Sequence, residues 1–492
     1  MKTMPMTLPK PRNVDEIADA PLLLEGRYGT REMCDIWGTD AFTYKAIMDV
    51  QLVGLDCINE LYSGRIPQEY IEALRLTATF QYVNPDEIRR QEAKGGHDVI
   101  AIATAWGRAA DEIQPSASSL INFLRTSADS TETAKAVRCR GSLEVYAESI
   151  ENLRDILLEK SMEWIDTHHM DQTHLYDALP TVAGRPLSFY AEMLHSGTDF
   201  IKYVHDHSLI AKWADATGNH HSATSAGIDG IKLQKEYARK LNLRYMVAPA
   251  QIPGREFNAD VIYALARTSG TIANLATNIA MGFGDDANLY TDLGPRRKGS
   301  GAMPHKDVKG GNRTVEEQAE SAAHELNGKV TTALGTIKFR YGRDLSGSAS
   351  DRLDIGASFK LCDHVARRVA GAVYNLGLNK DRSLERVMRT NGIVTAERVM
   401  TYLVDAAKVD NPMPREEAHD LMGQLATTAY GEKRPFYEVL SGSPAVTSRI
   451  DSNTLRELSD PLTFIGQSKE VIREAYDRYH GQKTFSGVHS NG

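Results

Sequence analysis

An all-α protein built around a bundle of long helices is what this sequence predicts, on three observations. Apolar residues recur at helical spacing: Leu143, Tyr146, Ile150, Leu153 and Leu157 fall three and four apart, on one face of a long helix. A second run, Val261, Ile262, Leu265, Ile272, Leu275, Ala276 and Ile279, carries enough Ala and Gly to predict close helix–helix packing. Alternating Val/Ile/Thr stretches of the kind that make strands are scarce, and 492 residues exceed what one hydrophobic core usually supports, so two or three domains are expected.

Taken in order, the chain is punctuated twice. Pro115 to Ser119 and Asn379 to Ser383 are turn-rich and polar, and they divide the sequence into an N-terminal helical domain (1–122), a central bundle (123–378) and a C-terminal helical domain (379–492). A formal net charge of -8 argues against nucleic-acid and membrane-surface partners, so an anionic substrate would need local basic clusters. Met1 to Asn13 has no apolar signal core, and no run of 18 uncharged apolar residues occurs. Cys34, Cys57, Cys139 and Cys362 are far apart, without a Cys-x-x-Cys pair; they read as buried thiols of a cytoplasmic protein.

Chemistry-bearing residues fall in separate clusters. Gly299-Ser300-Gly301-Ala302-Met303-Pro304-His305-Lys306, continuing to Asn312, combines a deformable backbone with a hydroxyl and a cation, which suits a mobile catalytic loop over 294–312 or an ordinary surface loop. Arg27-Tyr28 and His97-Asp98-Val99 are, taken singly, a surface cation and a helix-start histidine. Thr126-Ser127-Ala128-Asp129 has the make-up of a helix N-terminus, whose free amides can also hold a carboxylate. His174 lies in Thr173-His174-Leu175-Tyr176-Asp177-Ala178-Leu179-Pro180-Thr181; His168, His169 and His174 lack the further ligands that would make a metal site, so no metal is expected. Arg343, Ser348 and Arg352, at offsets of five and nine, suit a phosphate because guanidinium forks match its oxygens; a salt-bridged, solvated helix start explains the spacing equally well.

Residue order narrows these alternatives. Gly-Ser-x-x-Met-Pro-x-Lys followed by Asn312 resembles the signature loop of the fumarase/aspartase superfamily, and the Thr173 to Thr181 segment resembles that superfamily's Thr-His-x-x-x-Ala-x-Pro-Thr segment. The Arg-Tyr pair, His97-Asp98, Thr126-Ser127, Gln251 with Arg255, the Arg343/Ser348/Arg352 trio, and the stretches from Thr395, Arg415 and Asp460 are similar to the adenylosuccinate lyase branch. That resemblance implies three helical domains and a homotetramer whose active sites each draw on three chains. It also implies elimination of fumarate from a succinylated amine, either adenylosuccinate or the related carboxamide ribotide, without a cofactor. Ser300 would be the base, its pKa lowered by Lys306 and the loop amides; His174, polarised by Glu317, the acid; His97 would orient the substrate or share the acid role, and Asp98 would bind the substrate. Thr126 and Ser127 would hold a carboxylate, Lys306 and Asn312 would bind the substrate, Gln251 the purine, and Arg27, Tyr28, Arg343, Ser348 and Arg352 the phosphate. The chain departs from the pattern at Gly96, Arg125, Tyr176, Gly301, Gly342 and His220-His221, and in having five residues between Lys306 and Asn312. These departures leave open another fumarate-releasing lyase, acting on a nitrosuccinate or an argininosuccinate-type compound. A non-catalytic protein on the same fold is the remote alternative.

Overall fold

The structure is a computed structural model that describes residues 27–295 and 299–485. Residues 296–298 of the expected loop, and both ends of the chain, lie outside the described residues. The N-terminal part contains α1 (Arg31–Trp37), α2 (Asp40–Leu61), α3 (Gln68–Thr77), α4 (Pro85–Glu92) and α5 (Asp98–Ile113). The centre contains α6 (Ser127–Glu163), the hairpin β1 (His168–Thr173) and β2 (Tyr176–Val182), α7 (Arg185–His207), α8 (Gly230–Lys240), α9 (Glu256–Phe283), β3 (Tyr290–Asp292), α10 (Thr314–Thr336), α11 (Ser348–Tyr374) and β4 (Leu376–Leu378). Beyond them come α12 (Lys380–Met388), α13 (Ala396–Val404), α14 (Arg415–Glu432), α15 (Phe436–Ser441), α16 (Ser452–Leu458) and α17 (Ser468–Tyr479). The protein is all-α, with three helical units around three hydrophobic clusters.

The two periodic runs do what their spacing requires. Leu143, Tyr146, Ile150, Leu153 and Leu157 of α6 are fully buried, as are Val261, Leu265, Ile272 and Ala276 of α9, each large side chain contributing about 1.5–3 kcal/mol. Helix polarity follows from end-to-end contacts. Asp351, at the start of α11, meets Lys135 near the start of α6 and Arg255 just before α9, so these three helices begin together. At their far end Trp164, after α6, stacks on Tyr290, after α9, with ring centroids 6.2 Å apart. Helices α7 and α10 run the other way: Ser208 after α7 donates to Asp260 of α9 at 2.7 Å, and Arg313 before α10 pairs with Asp292 at 3.2 Å.

Two segments cross between units. Trp213, Leu233 and Tyr237 belong to the cluster formed by α2, α3 and α5, although they follow the bundle helix α7 in sequence. Helix α17 and the residues after it leave the C-terminal unit and lie along α6, where Tyr476 donates to Glu159 at 3.0 Å and the carbonyl of Gln482 accepts from the buried Arg154 at 2.6 Å. The four cysteines are buried, and burial pushes the Cys57 and Cys139 thiols up to about 12. Among the described residues no helix is long and apolar enough to cross a membrane.

Asp129 and Lys212, both fully buried, form an ion pair that ties the start of α6 to the segment after α7. Burial lifts the Asp129 carboxyl above its ordinary range, against the pull of Lys212 and the amide of Ala214. Replacing Lys212 with Met leaves a buried carboxylate uncompensated and is expected to cost about 3–5 kcal/mol at neutral pH. Because the folded-state pKa of Asp129 is raised, the folded mutant binds this proton more tightly than the unfolded chain does, so the loss should shrink as pH falls through that pKa. Denaturant titrations of both proteins from neutral to mildly acidic pH check the size and the direction.

Candidate active site

One end of the bundle gathers cations. His97 precedes α5 in extended backbone (φ -107, ψ 165), with its side chain about half exposed. Asp98 accepts the amide of Val99 at 2.9 Å through one oxygen and Arg352 Nη2 at 2.8 Å through the other. Two clusters 254 residues apart therefore meet through an ion pair. Beside it, Asp351 accepts Arg255 Nη1 at 2.7 Å and Asn258 Nδ2 at 2.8 Å, and stands 3.6 Å from Lys135, which also holds Glu132 at 2.7 Å. Burial raises the Asp351 carboxyl above its usual range despite these cations. Gly347 leaves room for this arginine, since a Cβ there would lie 2.1 Å from Arg255 Nη1 and would displace it. Ser348 opens α11, with Arg343 in the turn before it and Arg352 one turn in. That turn passes Gln251, whose amide nitrogen is 3.8 Å from where a Cβ on Gly342 would stand.

At the same end Thr126 is the N-cap of α6, and Asp129 reaches back to accept its amide at 2.7 Å. Ser127 follows, half-buried. Arg125 has an explanation outside the site: its guanidinium stacks on Trp213, 3.9 Å from the ring centroid, within the N-terminal core.

The other end carries the glycine loop. Strand β3 pairs antiparallel with β4, and the amide of Leu293 donates to Asn375 at 2.8 Å, fixing the loop base to the end of α11. Ser300 Oγ accepts the amide of Met303 at 3.0 Å. Residues Pro304–Lys309 form one 3₁₀ segment, and Lys306 Nζ donates to Asn312 Oδ1 at 3.3 Å. Gly310 and Gly311 have φ of 91 and 80, and a Cβ on Gly299 would stand 2.3 Å from the Gly311 Cα, so the loop closes on itself backbone to backbone.

His174 lies at the tip of the β1–β2 hairpin. Thr173 pairs with Tyr176, and the two residues between them, His174 and Leu175, have φ of 53 and 69, a two-residue turn of the I′ kind. Leu175 and Tyr176 are 80% and 79% exposed, leaving a wet apolar tip on a fixed base. That base is held by Asp177, bonded to Arg386 at 3.1 Å and Arg389 at 2.7 Å, and by His169 Nδ1, 2.9 Å from Ser383 Oγ. Burial, with Arg386 nearby, pushes His169 down to about 4, so this histidine is neutral and structural.

Within one chain the candidates thus form two groups. Arg352, Asp98, His97, Thr126, Ser127, Gln251, Arg343 and Ser348 lie at the start of α6, α9 and α11. Ser300, Lys306, Asn312, Glu317 and His174 lie at the opposite end, on the order of 40 Å away by the 1.5 Å rise of a 28-residue α9. Two expected pairings are not made inside the chain. Glu317 is exposed in the first turn of α10, and among the described residues no hydrogen bond or ion pair joins it to His174; its neighbour Glu316 is the buried one, bonded to Arg313 at 2.6 Å. Arg27 is exposed, and Tyr28 packs edge-on against His364 at 5.7 Å, roughly 18 Å along α11 from Arg352. Sequence reasoning missed Lys135, Asn258 and Asp351, which seat Arg255 beneath the site; an acid directly before Arg352 was the available signal.

Residues 84–307 match the family described as Lyase, and residues 392–475 match the family described as Adenylosuccinate lyase C-terminus. Adenylosuccinate lyase of Methanocaldococcus jannaschii is 27% identical over 462 residues, spanning 94% of this chain and 96% of the relative; that of Bacillus subtilis is 26% identical over 435 residues, spanning 88% and 95%. Among solved structures, a fumarate lyase from Mesorhizobium sp. BNC1 superposes with a TM-score of 0.78 at 19% identity, over 92% of this chain and 99% of that one. A 3-carboxy-cis,cis-muconate lactonizing enzyme from Pseudomonas putida gives 0.79 at 19% identity, over 93% and 98%. Those two likenesses establish the fold, while the matches in sequence run from the N-terminal helices through the C-terminal unit: along most of its length the chain is similar to adenylosuccinate lyases.

Proposed function

We propose that the protein cleaves adenylosuccinate to AMP and fumarate, and the succinylated carboxamide ribotide of purine synthesis to its free amine and fumarate, in the cytoplasm. The observation that carries this reading is the loop geometry at Ser300. A serine hydroxyl is far too weak a base at neutral pH unless its oxyanion is stabilised, and here Oγ already accepts the Met303 amide at 3.0 Å on a loop that also carries Lys306. Abstraction of the proton beside a succinyl carboxylate puts charge on that carboxylate, which Lys306 and the loop amides are suited to receive. His174 then protonates the departing nitrogen, aided by Glu317. No metal or organic cofactor is needed for this step.

A single chain cannot perform the reaction, because its base and its phosphate-binding arginines sit at opposite ends of the bundle. Copies arranged so that the Ser300 loop of one and the His174 tip of a second lie beside the α11 start of a third supply every part. A homotetramer meets this need, and exposed Phe189, Met193, Tyr203, Tyr263 and Met281 on α7 and α9 suit helix-to-helix burial between copies. In the assembled site Thr126, Ser127 and Asn312 hold carboxylates, Gln251 faces the purine, and His97 with Asp98 orients the substrate. Arg27 and Tyr28 reach the phosphate from a neighbouring copy, and the α11 N-terminus joins Arg343, Ser348 and Arg352 in holding it.

Three measurements test this. Ser300→Ala should bind adenylosuccinate nearly normally while losing turnover on the order of a thousandfold, followed by ultraviolet absorbance as substrate is consumed; more than a tenth of normal turnover removes Ser300 from the role. Inactive His174→Ala and Ser300→Ala proteins, mixed after mild dissociation, should regain activity, and hybrid tetramers without any recovery would put both residues in one subunit's site. Arg352→Ala should weaken adenylosuccinate use about tenfold to a hundredfold and blunt competition by inorganic phosphate. If the unaltered protein ignores adenylosuccinate yet releases fumarate from a nitrosuccinate or an argininosuccinate-type compound, the purine assignment falls and the elimination chemistry stands.

A further inference from the structure

We infer that Asp307 is a positioning residue for the elimination, holding the base-bearing end of the loop through the amide of Gly299. Asp307 opens the five-residue stretch between Lys306 and Asn312, which sets this loop apart from the family pattern. The 3₁₀ segment Pro304–Lys309 turns it back on the loop's own neck, where Oδ1 accepts the Gly299 amide at 2.7 Å across eight residues. Asp307 is half-buried there, between exposed Lys306 and Val308.

The remaining neck contacts act in the same direction. Gly299 and Gly311 touch backbone to backbone, and the Gly311 amide donates to the Lys306 carbonyl at 3.0 Å. Gly299 directly precedes Ser300, so holding its amide anchors the backbone with only the φ and ψ of Gly299 left before the Ser300 peptide unit, and the close approach of Gly311 restricts those torsions and, with them, the directions open to Oγ, which accepts the Met303 amide. Without an acceptor at position 307, the Gly299 amide loses this partner, and the orientational freedom of the base on its glycine-rich neck rises. The extra residues therefore supply a strut within the loop.

This inference rests on Ser300 being the base, and its test separates the two. Asp307→Ala should lower kcat for adenylosuccinate about tenfold with KM within about twofold, and Asp307→Asn, which keeps an acceptor oxygen and removes the charge, should recover kcat to within about twofold. Hydrogen–deuterium exchange of the peptide covering 299–312, read by mass spectrometry, should accelerate severalfold in the Ala variant and stay near normal in the Asn variant. An unchanged or faster Asp307→Ala enzyme, an Asn variant as slow as the Ala variant, or unchanged exchange in Asp307→Ala overturns the proposal. If Ser300→Ala keeps its turnover, the base assignment fails, while the exchange measurement still decides whether Asp307 holds the neck.

Discussion

Three long helices that begin at the same end of the bundle set the electrostatics of that end. Because α6, α9 and α11 run parallel, their free N–H groups and the positive ends of their dipoles converge, and the chain adds Arg255, Arg343 and Arg352 to that end. Such a concentration of positive potential needs anions. Asp98 and Asp351 supply them in the isolated chain, each bonded to an arginine at 2.7–2.8 Å. The two carboxylates differ in consequence. Asp351 is half-buried under three cationic or amide partners and is part of the framework. Asp98 holds an Arg352 whose side chain is 67% exposed, a contact that an incoming dianion can match without dismantling the fold.

Helix length then separates the two groups of candidate residues. A bundle long enough to bury the apolar faces of α6 and α9 puts the loop and the hairpin tip far from the cationic end. Association of copies is the proposed way of bringing them together, and the surface of the chain suits it. Its hairpin tip exposes Leu175 and Tyr176 on a rigid turn, and its base is locked by Asp177 between two arginines. A tip so exposed on a base so fixed is oriented for another surface.

How much of this was legible follows from the range of each interaction. Burial of a helix face acts at every third or fourth residue, so the face from Leu143 to Leu157 and the run from Val261 to Ile279 could be read directly, and both are in the core. The N-cap at Thr126 is local and was equally readable. The Asp98–Arg352 pair was not, because nothing in a sequence links residues 254 apart except the chemistry they share. The hairpin escaped notice for a different reason: β1 is His-His-Met-Asp-Gln-Thr, with no β-branched alternation, and its turn uses His-Leu where Asn-Gly would have announced it. Arg125 stood out as a departure, but its partner Trp213 lies beyond α6, the β1–β2 hairpin and α7. The pairing of Glu317 with His174 is absent from the single chain, and no periodicity or cap could have said so.

The crossing segments described for the fold govern when the chain can become structured during synthesis. The first hydrophobic cluster draws Trp213, Leu233 and Tyr237 from beyond α7, so it stays incomplete until nearly half the protein has been made. The bundle waits longer: Glu159 and Arg154, buried in α6, find partners in Tyr476 and Gln482, among the last residues described. Neither unit can close behind the ribosome in the order of its sequence. Contacts of this separation delay folding until loop closure is affordable, and they leave apolar helix faces uncovered in the meantime. The last helix described, α17, is thus the piece that seals the first helix of the bundle.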